Sequence, residues 1–174
     1  PVRLMRGGRE SRGTGLAESM RYTIAPPGAL PLRNTRFSLV DVPDLRIVPR
    51  EHPTITDIWI GAGPVPESLH RILNGLAGLR ARLRLPSLAP LARICHRILN
   101  MTAFGEHRGG MFVEAEGLRD GKAVTRSWHM LAEGDDGPHI PSMAIEALVR
   151  KLVDGERPAD GARSVLRALE LDDY

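Results

Sequence analysis

Cysteine, lysine and aromatic residues are scarce in this chain. A single cysteine, Cys95, excludes an internal disulfide and fits a reducing compartment. Aromatic residues make up only 4%, so a core has to be built from Leu, Val, Ile, Ala and Met. Lysine stands only at Lys122 and Lys151; the other basic residues are arginine. No apolar run approaches the roughly 20 residues of a membrane helix, and no secretory signal opens the sequence. The expected location is therefore the cytoplasm, with no membrane span. A phosphate-binding glycine loop, a cysteine pair, a His-Glu-x-x-His helix and a serine nucleophile elbow are all missing. The histidines, His52, His70, His96, His107, His129 and His139, lack metal-ligand spacing, so no metal site is expected.

What remains is an ordinary globular chain. Its 174 residues, 42% hydrophobic and 26% charged, suit one domain with a full core and are too few for two. Charge is uneven. Residues 1–110 carry 16 Lys/Arg against 8 Asp/Glu, and residues 111–174 carry 8 against 13. The sequence opens on Pro1, which reads as a cut end. Residues 1–17, with Gly7, Gly8, Gly13 and Gly15 among four arginines, read as a loop or a cut strand end. Residues 18–174 read as a single domain.

Weak alternation predicts a strand over 18–25, a second over 36–42 stopped by Pro43-Asp44, and a third from Ile55 to Ile60. The period then changes. Leu69, Ile72, Leu73, Leu76, Leu79 and Leu83 have helical spacing, as do Leu91, Ile94, Cys95, Ile98 and Leu99. They predict a helical pair over 66–83 and 87–101. Asp120-Gly121 is a strong two-residue hairpin signal between strands 110–118 and 123–133. The turn fixes the register so that opposed residues sum to 241. Met111, Val113, Trp128 and Met130 then share one apolar face, expected to be buried. Phe112, Glu114, Glu116, Thr125, Ser127 and His129 share the other. Ser142 is placed to cap a helix over 142–154, with Ile145, Leu148, Val149 and Leu152 inward and Gly155 as its stop. Residues 162–169 read equally as a last strand or a short helix. Clustered strands and helices without βαβ alternation predict an α+β fold with a mixed or antiparallel sheet.

Two segments carry chemistry. In Gly105-Glu106-His107-Arg108-Gly109-Gly110, glycines free the backbone to expose N–H groups, Arg108 supplies a fixed cation and His107 a titratable donor. The combination suits a carboxylate or phosphate; a tight helix-to-strand turn explains it equally. In residues 133–141 a helix start attracts anions, whereas Asp135 and Asp136 repel them, so a capped turn is the alternative there.

LVDVPDL at 39–45, GAGPVPESLHRILN at 61–74, GEHRGGMFVE at 105–114 and AEGDDGPHIPSMA at 132–144 together resemble the C-terminal half of saccharopine-dehydrogenase-like oxidoreductases. The resemblance implies a substrate-side and dimerisation domain, inactive alone. It also implies a missing N-terminal Rossmann domain before Pro1, which would bring NAD or NADP in the full-length protein. This chain has no cofactor fingerprint of its own. On that reading the expected partners are a second copy and a small anionic substrate, held by Arg108, Gly109, Gly110 and Glu114. His107 and His129 are the candidates for proton transfer, with Glu114 placed to orient His129. A different class of function is a non-catalytic binding module. Arg71, Arg80, Arg82, Arg84, Arg93 and Arg97 against Glu67 make the helical pair 66–101 basic enough for an anionic membrane or nucleic acid. Arginines spread around the helices, with no aromatic residue between them, disfavour nucleic acid.

Overall fold

The computed structural model describes residues 1–63, 67–83, 92–101, 107–134, 136–157, 160–161 and 168–173. The fold is α+β with antiparallel pairing in three small sheets. The predicted helix 87–101 lies partly, and the 162–169 segment mostly, outside the described residues.

The N-terminal segment is a hairpin, β1 (Val2–Arg6) and β2 (Arg9–Gly13), where a loop or strand end was expected. Gly7 and Gly8 form its turn with φ of 55° and 72°, the left-handed pair that a two-residue hairpin turn requires. Alternation then buries Val2 and Leu4 and leaves the intervening Arg3 exposed. β3 (Ser19–Ile24) pairs with β4 (Leu32–Leu39), and β4 with the short β5 (Gly61–Ala62). β4 begins and ends earlier than the 36–42 run predicted. A register shift between Tyr22 and Ile24 lies beside Asn34, whose φ of 52° an asparagine tolerates.

Helix α1 (Asp44–Glu51) was hidden by its prolines, Pro43 at its start and Pro49 in its last turn. It buries Leu45 and Pro49, four residues apart, on one face. The expected strand Ile55–Ile60 is instead a strap between the first two sheets. Gly8 N–H donates to Thr56 O, Ile58 N–H to Met5 O, and Val40 N–H to Ile60 O. Val2, Leu4, Leu39 and Leu45 pack under this strap with Val42, Ile58, Trp59 and Ile60. Trp59 also touches a second cluster of Ile24, Leu32 and Phe37, which Tyr22, Phe112 and Leu131 complete.

Helices α2 (Glu67–Leu83) and α3 (Ala92–Met101) fall within the predicted pair. The long hairpin β6 (Gly109–Arg119) and β7 (Lys122–Ala132) has the predicted register, with Val113 opposite Trp128 and Phe112 opposite His129. α4 (Ile140–Val153) starts two residues early, out of a 3₁₀ turn at Gly137–His139. Ser142 does not cap it; its hydroxyl donates to His139 O at 2.6 Å. Gly155, at φ 90°, follows the helix end as expected. Among the described residues, no helix is long and apolar enough to cross a membrane.

The expected inner faces are turned outward. The hairpin docks through the face of Phe112, His129 and Leu131, while Val113 is 57% and Trp128 37% exposed on the apolar face. The reason is local. Gly110 has no Cβ, so Ile24, Leu32 and Leu131 close in on its backbone, and the Phe112 ring stacks on Tyr22 at 3.7 Å and 4°. α2 likewise turns Glu67, His70 and Asn74 to β4, which offers Arg36 and Ser38 on that side. Its Ile72, Leu76, Leu79 and Leu83 are exposed. In α4, Ala147 is buried and Leu148 half-buried, but Ile145, Val149 and Leu152 are exposed rather than inward.

Candidate functional site

The hairpin base gathers most of the sequence-predicted site. Arg108 is half-buried, and its Nη1 donates to Leu30 O at 3.0 Å. Gly109 begins β6 opposite Ala132. Gly110 is pressed against apolar side chains, so its missing Cβ serves packing there. Further along β6, Glu114 accepts a hydrogen bond from the Tyr22 hydroxyl at 2.7 Å. Burial pushes the Tyr22 phenol up, the Glu114 carboxylate adds to that, and Ser127 opposes it. His129 Nδ1 accepts from the Ala25 N–H at 3.1 Å, which leaves the proton of a neutral ring on Nε2. Its ring lies 5.7 Å from that of Tyr22.

Glu114 and His129 are therefore both fixed by the β3 region, through Tyr22 and Ala25. Glu114 spends its bond on Tyr22 and pairs across the strands with Ser127, while His129 pairs with Phe112. His107 is exposed beside the start of β6; Gly105 and Glu106 lie outside the described residues. The chemistry available at the base is that of a rim: a carboxylate, a phenol, an imidazole and a guanidinium beside a stacked aromatic pair.

A second polar cluster had no clear sequence signal beyond the Glu67–Arg71 spacing. Glu67, in the first turn of α2, receives Arg21, Arg36 and Arg71. Arg21 Nη1 also donates to Asn34 O at 2.6 Å and Arg36 Nη1 to Ser19 Oγ at 2.7 Å. The Arg21 hydrogen bonds, then that of Arg71, hold the Glu67 carboxyl down to about 2. One turn on, Ser38 Oγ lies 2.7 Å from His70 Nε2, both residues fully buried. That separation suits a nucleophile and its base, but burial closes it to any substrate. The Asn74 amide donates to Ser38 Oγ at 2.8 Å, so the hydroxyl sends its own proton to Nε2 and the imidazole is neutral. Desolvation pushes the His70 pKa down, Arg36 adds to that, and Glu67 opposes it. Ser38, His70 and Asn74 tie α2 to β4.

The 133–141 segment is a turn. Asp136 N–H donates to Glu133 O at 3.1 Å and His139 N–H to Asp136 O at 2.9 Å; Asp135 lies outside the described residues. Among the described residues, no group of three His, Cys, Asp or Glu side chains is placed to hold a metal. On the helical pair, Arg80, Arg82, Arg93 and Arg97 are exposed, and Arg84 lies outside the described residues.

No protein-family model, no curated protein and no solved structure matches the chain.

Proposed function

We propose that this chain is an association domain, in the sense offered by its resemblance to the substrate-side and dimerisation half of saccharopine-dehydrogenase-like oxidoreductases. The observation that carries the reading is the outward apolar surface. The chain exposes 13357 Å², where a compact monomer of 19.1 kDa exposes about 8,400 Å². The hairpin face with Val113 and Trp128, and the apolar sides of α2 and α4, contribute to that exposed surface. Contiguous apolar surface on this scale marks a contact face. The partner is a second copy. Light scattering at tens of micromolar is expected to give twice 19.1 kDa; a monomer mass across that range rejects the reading.

The substrate-side half of the proposal rests on Arg108 beside the Tyr22, Glu114 and His129 rim. In the protein that also carries an NAD(P)-binding domain, this rim faces an anionic substrate, and hydride chemistry belongs to the cofactor. Arg108→Lys is then expected to weaken substrate binding about tenfold, because lysine keeps the charge and loses the planar fork. Substrate affinity and melting temperature are measured together. Unchanged affinity with a lowered melting temperature makes Arg108 a structural tie to Leu30 and removes the substrate role.

A further inference from the structure

We infer that the outer part of the long hairpin is an arm that pairs edge to edge with a second copy, β7 against β7 across a two-fold axis. The inference rests on the association reading and specifies its contact. From Glu114 to Trp128, every residue except Val124 is exposed, so this stretch has solvent on both faces. At the base, β3 lies across one face, through the Tyr22–Phe112 stack and the Ala25–His129 bond. It therefore occupies neither edge. Among the described residues, this sheet holds β6 and β7 alone. A two-stranded ribbon is marginal in water, and its open edges carry rows of unpaired N–H and C=O groups. An added strand satisfies one such row.

Charge and register select the edge. Full overlap of β6 with itself sets Glu114 against Glu114 of the second copy, and like charges directly opposite repel. Pairing β6 with β7 of another copy leaves a free edge at each end and propagates as an open filament. Full overlap of β7 with itself centres on Ser127. Arg126 then lies opposite Trp128 of the second copy, Val124 opposite Met130, and Lys122 opposite Ala132. No like charges meet. Away from the turn, Arg126 is the sole charge on the otherwise apolar hairpin face, and this pairing gives it an aromatic ring to lie on. The four strands then present one continuous apolar face. The chain's excess exposed area, about 5,000 Å² over a compact monomer, is more than the roughly 1,200–2,000 Å² of a standard interface.

The test is covalent capture. Directly opposed residues of an antiparallel pair lie about 4.5–5.5 Å apart at Cα, which a disulfide can span. In a Cys95→Ala background, Ser127→Cys is expected to give a disulfide-linked dimer on mild oxidation, and Glu116→Cys on the far strand is not. In the native background, Arg126→Glu is expected to raise the dimer dissociation constant about tenfold by removing two symmetric cation–π contacts. Val113→Glu, on β6, changes it far less. A dimer that Val113→Glu breaks and Ser127→Cys does not capture is stacked face to face; it overturns edge pairing and leaves association standing. A parent chain that stays monomeric at tens of micromolar overturns both.

Discussion

Leu39→Ala is expected to lower the unfolding free energy by about 2–5 kcal/mol, the range for truncating a fully buried leucine. Leu39 is completely buried, at the end of β4, where it joins Val2, Leu4 and Leu45. Its neighbours cannot collapse easily into the space. Backbone bonds hold it on both sides, with the Leu16 N–H donating to its carbonyl and its own N–H donating to Glu18 O, each at 2.9 Å. The strap bonds Ile58 to Met5 and Val40 to Ile60, which fixes the opposite wall. The loss is large beside the whole. Among the described residues the buried hydrophobic side chains are few, and three of the nine come from alanine and valine. A domain stable by only about 5–15 kcal/mol has little reserve against such a change. Urea unfolding followed by far-ultraviolet circular dichroism measures it. A Leu39→Ala midpoint within experimental scatter of the parent would mean that the first core cluster is not what holds the N-terminal sheets together.

The hairpin was legible because one dipeptide, Asp120-Gly121, sets both turn and register. The two helices were legible because a 3.6-residue period survives any tertiary context. The first hairpin carried the same kind of signal in Gly7-Gly8, but its strands, VRLMR and RESRG, are rich in arginine and read as loop. Periodicity finds the apolar face of an element and does not say which face docks. Phe112 docks because Tyr22 is there to stack on, and Gly110 because Ile24 and Leu32 press on it. His70 docks because Ser38 and Asn74 complete its bonding. Those partners lie 32 or more residues away for Ser38 and 92 for the Tyr22–Glu114 bond, beyond the reach of any local pattern. For the same reason Arg108, Gly109, Gly110, Glu114 and His129 could be placed together, since one hairpin carries them all. The Glu67 cluster needed the pairing of β3 and β4 under α2.

Acid is expected to loosen the α2–β4 contact in two stages, each assigned to one side chain. His70 is neutral in the fold with its pKa pushed below 6.5 by desolvation, then by Arg36. A depressed folded pKa means that the unfolded chain binds the proton more tightly. The contribution of His70 is therefore complete above about pH 6.5 and is lost as pH falls through the folded value. Glu67 follows the same sign in a lower window. Its carboxyl is held at about 2, against 4.5 when free, chiefly by Arg21. Its contribution is present above pH 4.5 and fades between there and about 2. Urea midpoints at pH 7.5, 5.5 and 3 separate the stages. The parent is expected to lose stability at both steps. His70→Gln is expected to cost roughly 1–3 kcal/mol at pH 7.5, because it disturbs the bonding of the buried Ser38 hydroxyl, and to flatten the upper step. Glu67→Gln is expected to reduce the lower step and leave the upper one. Glu18, Asp57 and Asp173 also titrate below their free values, so some of the lower step survives in that variant. An upper step of equal size in parent and His70→Gln would mean that the imidazole is not buried against β4. The tie between Ser38, His70 and Asn74 would then have to be abandoned, and with it the reason that α2 turns its polar side inward.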